Sequence, residues 1–402
     1  MAKRTTQNPS RKHLARKLYR QAIKLERKGA SEHVAEAAAL LRRAVRLGSG
    51  VSALKLAEIY LNEDYPDLYD PDAAMKMLRQ LANRGNAPAC FMLGKQLHEL
   101  GANEEAAKYL MATSNKENIP AKALLGEMRL KGDGVEKNTQ QGVRLLSEAA
   151  QAGNTDAQLT LAEAYSDGQY LPENAERSVF WTKQAALQKD TYAQTLLAAH
   201  CFTGYGVDRD TRECYFWMYQ AAKQGFAYAQ AGVGECLQEG LGVRRNKSKG
   251  AKFYAKAAAQ GFHFATARLG LCYILGRGVK QDKEKGVALL REAMENGNEF
   301  ASIYLVMFGQ LKYISIDAAE IEQYAKLLKE NGHAISLSEE STPIIKRKKN
   351  WIQAEYDHIK ILHYMDNDDD TEEDSRLPTP FDPILNLGRR IITPFSRKCP
   401  KN

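Results

Sequence analysis

Apolar residues recur along this chain in short stretches at helical spacing, broken by glycine-containing segments, and the whole pattern returns every 36 positions. An alanine column reads Ala121, Ala157, Ala193, Ala229, Ala265, Ala301, and five residues on a small-residue column reads Gly126, Ala162, Ala198, Gly234, Gly270. A bulky column follows in a second stretch: Tyr109, Leu145, Trp181, Trp217, Phe253, Leu289. Three residues before it stand Ala106, Gly142, Ser178, Cys214, Gly250 and Gly286. In one unit, Ala193 to Thr203 has the apolar spacing of a first helix, and Gly204-Tyr205-Gly206-Val207 breaks it because glycine admits left-handed backbone. Asp210 and Thr211 then supply capping oxygens for a second helix, which Gly225 ends. Self-similarity at this period predicts an all-α chain, a right-handed α-solenoid of stacked helix-turn-helix repeats. Small residues let paired helices approach, and Trp181, Trp217 and Phe253 are expected to fill the space between stacked pairs.

The break recurs at Gly132-Asp133-Gly134-Val135, Gly240-Leu241-Gly242-Val243 and Gly276-Arg277-Gly278-Val279, and degenerates at Gly168-Gln169-Tyr170-Leu171. Ala265, Leu269, Gly270, Tyr273, Gly276, Gly278, Val279 and Asp282 form one spaced set. Cys214, Trp217, Ala221, Ala222 and Gly225 form another in a second helix. On these residues the chain resembles the Sel-1-like repeat family, relatives of tetratricopeptide repeats. The likeness is clear over 117–300 and looser over 48–335. It implies an adaptor that holds proteins together and says little about any activity. Secreted, disulfide-rich members have been linked to β-lactam binding, but their paired cysteines within each repeat do not occur here.

Around this array the organisation reads as follows. Residues 1–11 are a disordered basic N-terminus and 12–47 a basic capping helix pair. Residues 48–335 carry the repeats, drifting toward tetratricopeptide spacing near Gly85. Residues 336–402 form a mostly disordered tail with a basic cluster (Lys346 to Lys349), a short helix near Trp351–Tyr364 and an acidic run.

Charge sharpens this picture. The net charge is +8, yet residues 1–46 hold 13 Lys/Arg against 3 Asp/Glu, and 366–374 hold seven acids in nine positions. No run approaches the roughly 18–20 apolar residues of a membrane span. The basic first residues have no apolar stretch behind them, so a secretory signal is not expected and the cytoplasm is the expected compartment. Cys236 and Cys272 occupy equivalent places in adjacent repeats, too far apart for a disulfide, and no C-x-x-C pair suggests zinc. Metal-protease, nucleophile-elbow, Walker and dinucleotide motifs are absent, so no enzyme activity, cofactor, catalytic residue or metal site is expected.

Candidate binding chemistry lies where repeats differ. Just before the alanine column stand Tyr192, Tyr228, Phe264 and Phe300, an aromatic ladder for the concave groove by analogy with tetratricopeptide repeats, or rings packed as ordinary core. Two turns on lie Glu127, Glu163 and Glu235, with Glu239 one turn beyond, an acidic stripe suited to a basic peptide or a solvated helix face. The leading reading is a non-enzymatic protein–protein scaffold. The alternative is nucleic-acid or anionic-surface binding through the basic arm, Arg16, Lys17, Arg20 and Lys24. The tail itself, with Arg389, Arg390, Phe381 and Phe395, is a further candidate occupant of the groove by intramolecular docking.

Overall fold

The computed structural model describes residues 9–114, 118–310 and 312–330. Among the described residues there are eighteen helices and no strand. The tail from 336, with its basic cluster, expected short helix and acidic run, lies outside them. The chain divides into two compact units, residues 1–161 and 162–402.

In the first unit the helices are α1 (Pro9–Glu26), α2 (Ser31–Arg46), α3 (Gly50–Tyr60), α4 (Pro71–Ala82), α5 (Ala87–Glu99), α6 (Asn103–Ser114), α7 (Ile119–Lys131) and α8 (Thr139–Gln151), with the start of α9 (Thr155–Asp167). Helix α1 begins at Pro9, inside the stretch 1–11 expected to precede the helices. The second unit holds the rest of α9, then α10 (Ala175–Leu187), α11 (Thr191–Thr203), α12 (Thr211–Lys223), α13 (Ala227–Glu239), α14 (Lys247–Ala258), α15 (His263–Leu275), α16 (Lys283–Glu295), α17 (Glu299–Gln310) and α18 (Ala318–Glu330). Helices pack in antiparallel pairs such as α7/α8 and α13/α14, and the second of a pair packs on the first of the next, as α12 does on α13.

Local chemistry explains the boundaries. Asn and Asp side chains accept the free amide at helix starts, as Asn138 does from Gln141 and Asp282 from Lys285, each at 2.9 Å. At the other end, left-handed glycines close α7, α11, α13 and α15. The second glycine of each full break has a different task. A Cβ on Gly242 would stand 1.8 Å from the carbonyl oxygen of Thr211, the first residue of α12. Gly206 presses in the same way on Ala175 and Gly278 on Lys247, each opening the second helix of the preceding repeat. Gly134 does so on Asn103 in the first unit.

Within a pair the packing is small against large. Gly94, Gly126, Gly234 and Gly270 face Leu110, Leu146, Tyr254 and Leu290, with hypothetical Cβ distances of 2.8–3.2 Å. Those partners are 0–2% exposed, as are the equivalent Thr182 and Met218. This corrects the expectation for the bulky column. Trp217 is buried, but Trp181 and Phe253 are only half-buried, and within a pair the seam is filled by the residue one position later. A single position turns a helix by 100°, enough to move a side chain from the seam to its edge.

Five cysteines, Cys90, Cys201, Cys214, Cys236 and Cys272, are buried free thiols, and burial pushes Cys201 and Cys272 up to about 11. His200 is also buried, stacked on Tyr205 with ring centroids 5.0 Å apart. Neither of its nitrogens has a hydrogen-bond partner among the described residues, and burial lowers its pKa to about 4.

Two predictions follow from this packing. Gly242→Ala and Gly261→Ala both oppose a positive φ, but nothing lies within 4 Å of a Cβ at Gly261. Gly261→Ala is expected to cost about 1–2 kcal/mol and Gly242→Ala roughly 4 kcal/mol or more, read from urea midpoints. Equal losses would refute the backbone contact. For His200, the unfolded chain takes up a proton near pH 6.5 while the folded chain resists until about pH 4, so stability falls as pH drops through that window. His200→Phe should remove roughly 3 kcal/mol of that acid sensitivity; an unchanged pH profile would rule the assignment out.

Candidate functional site

The second unit brings the chemistry-bearing candidates together on its first helices. At the N-terminal ends of α13 and α15 four rings form a run: Phe226 to Tyr228 at 6.2 Å, Tyr228 to Phe262 at 5.8 Å, Phe262 to Phe264 at 6.0 Å. The Arg268 guanidinium sits 5.7 Å from the Phe264 ring, an arrangement that favours cation–π attraction. Tyr228 is buried within this run, and Phe226, Phe262 and Phe264 are half-buried. Tyr192 and Phe300 are half-buried too, Phe300 against the core formed by α15 to α18.

Phe226 and Phe262 were not singled out in the sequence, though a signal was present. They occupy the cap column that reads Asn118, Asn154, Asp190, Phe226, Phe262, Asn298. At the four polar positions the side-chain oxygen accepts the backbone amide of the alanine three residues on, at 2.7–3.1 Å. At Phe226 and Phe262 there is no side-chain cap bond. Two consecutive repeats give up a cap, commonly a loss of about 1 kcal/mol each, for aromatic surface.

The acids are placed differently from the stripe read in the sequence. Glu235 is buried; it accepts from Arg268 Nε at 3.0 Å, from Arg268 Nη2 and from the Tyr254 hydroxyl. Burial, then the Glu235 charge, holds the Tyr254 phenol well above its ordinary pKa. Glu127 pairs with Lys131 at 2.7 Å, and exposed Glu239 lies 3.7 Å from Arg245 and 3.6 Å from Arg277. Glu163 is half-buried. At Glu127, Glu235 and Glu239 the negative charge is thus met by basic side chains within the repeats.

Further along the same helices a cleft of about 40 Å³ opens among α13, α15 and α17. Its lining includes apolar Leu271, Leu275, Tyr304 and Met307 and charged Glu239, Arg268 and Arg277. Arg268 joins the cleft to the aromatic run. Large exposed rings also occur on second helices, Phe180 at 53% and Phe216 at 48%, each edge-on to the following tryptophan.

In the first unit, Arg16, Lys17, Arg20 and Lys24 all lie exposed on α1, while Ala15, Leu18 and Ala22 on its other side are buried. Among the described residues, no group of three or more His, Cys, Asp or Glu is placed to hold a metal ion. Among them, too, no helix is long and apolar enough to cross a membrane.

The Sel1 repeat model matches residues 5–26, 50–86, 87–113, 119–154, 155–190, 191–226, 227–262 and 263–298. The chain belongs to the Sel1 repeat family. Among solved structures it is similar to c5321, described as a protective antigen present in uropathogenic Escherichia coli strains and displaying an SLR fold. There the TM-score is 0.62 at 22% identity, over 74% of this chain and 64% of that one. A Sel1 repeat protein from Oxalobacter formigenes matches with TM-score 0.54 and 26% identity, over 62% of this chain and 99% of its own. A signal transduction ATPase with a tetratricopeptide repeat sensor from Pyrococcus horikoshii matches with TM-score 0.50 and 16% identity, over 82% of this chain and 54% of its own. The chain thus spans less than two thirds of the length of the Escherichia coli antigen. No curated protein matches it.

The placement of Glu235 makes a prediction. Glu235→Gln leaves the Arg268 guanidinium, only 15% exposed, without its carboxylate, and is expected to cost roughly 3–5 kcal/mol. Glu239→Gln, at the exposed rim, should stay within about 1 kcal/mol. Comparable urea midpoints for the two variants would show that Glu235 is a surface acid after all.

Proposed function

We propose that this Sel1 repeat chain is a non-enzymatic scaffold that holds a segment of a protein partner along the first helices α13, α15 and α17. Sel1 repeat proteins generally act as protein–protein interaction scaffolds. The observation that carries the reading here is the pair Phe226 and Phe262, which replace the capping Asn or Asp of the other repeats. Loss of local stability for half-buried aromatic area is the exchange a binding surface makes. The adjoining cleft, lined by apolar and aromatic side chains with a few charged ones, has a composition that suits an interface. Because the acids on this face already have basic partners, the segment it suits is one led by apolar or aromatic side chains, with no call for a strongly basic peptide. The buried free thiols fit a reducing compartment such as the cytoplasm.

The test separates binding from folding. Phe226→Asn and Phe262→Asn each restore a capping side chain, so the double variant is expected to unfold no earlier than the parent in urea. A photo-crosslinking residue at Met307, beside the cleft, should capture one dominant protein in cells, and the double variant should reduce that adduct at least ten-fold. No adduct above that from a crosslinker at exposed Leu100 would overturn the assignment. So would a double variant that captures the same protein undiminished.

A further inference from the structure

The second helices of the second unit carry a surface that the scaffold reading leaves unused. Phe180 of α10 and Phe216 of α12 occupy the same place in successive repeats, and each stays about half exposed. Each ring is held edge-to-face by the tryptophan that follows it, at 5.0 Å and 5.1 Å between centroids. A ring already held by a neighbour has little rotamer freedom left to lose when a flat partner covers it. In α14 the same column holds exposed Lys252, and half-buried Phe253 has the Lys256 ammonium 5.3 Å from its ring. The three helices are neighbours. Gln224, capping α12, donates to the Lys189 carbonyl just past α10 at 3.1 Å, and Tyr219 of α12 meets Phe253 of α14 at 6.3 Å.

Charge accompanies the rings. Helices α10, α12 and α14 hold eight Lys/Arg against two Glu. One of those two, Glu213, accepts from the Trp217 indole at 2.9 Å. Arg177 and Lys183 lie three residues either side of Phe180, and Arg212 four before Phe216, so each shares that ring's side of its helix. Lys183, Arg212, Lys249 and Lys252 are exposed and make no ion pair among the described residues.

Three partners meet cations and rings together, and the arrangement separates them. An anionic lipid surface takes in a continuous apolar face, whereas this aromatic column passes into Lys252 at its third position. A purely acidic peptide answers the charge and leaves the rings without a counterpart. A single-stranded nucleic acid carries one anion and one π-face at every nucleotide, so ring and cation can follow one another in a single column. Gln184 and Gln220, four residues beyond Phe180 and Phe216, add a carboxamide near each ring, able to bond a ribose 2′-hydroxyl.

We infer that the exposed side of α10, α12 and α14 is a docking surface for single-stranded RNA. Bases stack on Phe180 and Phe216, and phosphates are met by Arg177, Lys183, Lys249 and Lys252. The inference is independent of the protein partner proposed for the first helices, and shares no residue with that site.

Fluorescence anisotropy of the full-length chain with a labelled twelve-nucleotide oligouridylate reads the contact. Affinity is expected to fall linearly with salt on logarithmic axes. Phe180→Ala with Phe216→Ala should weaken binding about ten-fold or more. K183E, K249E and K252E together should also weaken it and flatten the salt slope. R16E, R20E and K24E on α1 should leave it nearly unchanged. A 4-thiouridine oligomer irradiated on the unaltered chain should give adducts on the peptides holding Phe180 and Phe216, a result that depends on no variant's folding. Affinity indifferent to loss of the two rings, or adducts confined to α1, would overturn the inference. So would a deoxyuridylate of equal length binding as tightly, or a polyglutamate of equal charge competing as well as the RNA. Phosphatidylserine vesicles that displace the RNA through the same two phenylalanines would make the face a lipid surface instead.

Discussion

Where the full glycine break occurs, successive repeats are set against one another by a backbone contact that tolerates no side chain. The second glycine of a break lies on the first residue of the preceding repeat's second helix, Gly206 on Ala175, Gly242 on Thr211, Gly278 on Lys247. Each of these glycines also has a positive φ, so two independent requirements fall on one position. Because a repeat buries its apolar face only against its neighbours, this contact determines how each stack is spaced and which side chains can meet across it. The break therefore acts as a spacer with a defined thickness, the thickness of a bare peptide backbone.

Within each pair a second rule operates, small residue against large. Gly234 makes room for the ring of Tyr254, and Gly126 for Leu146, so two helices approach without a void. Tyr254 then has to bring its hydroxyl inside, and Glu235 receives it. Glu235 in turn takes up Arg268 from the next repeat. One polar knot thus ties a packing decision in α13 and α14 to the residue that stands between the aromatic run and the cleft. Its members hold one another in place, which makes Arg268 a fixed cation and leaves Glu235 no freedom to greet a partner.

Functional character lies where this repeating logic is broken. A perfect array would have polar caps at 226 and 262, where phenylalanines stand instead. A departure from the local rule in two successive repeats, both adding to one row of rings, is the strongest sign of adaptation on the second unit's surface. The basic face of α1 is a departure of another kind, in which charge accumulates on one helix without compensation. Both stand out because the surrounding columns are so regular.

The residue pattern by itself determined the period, the helix-turn-helix unit, the glycine breaks and most caps, because each depends on interactions within a few residues along the chain. It also carried the cap column in which Phe226 and Phe262 depart from Asn and Asp. Two matters were left to tertiary structure. Which of two adjacent residues is the more deeply buried, Trp181 or Thr182, Phe253 or Tyr254, depends on the rotation of one helix against another, and one position is 100°. Whether an acid faces solvent depends on what the next repeat supplies: Glu235 looks like Glu239 in the sequence, but Arg268, 33 residues away, reaches one as a buried partner, while the other stays at the exposed rim. Alternating spacing and local capping are one-dimensional and can be read along the chain. Rotation and pairing between repeats exist only once the helices have packed.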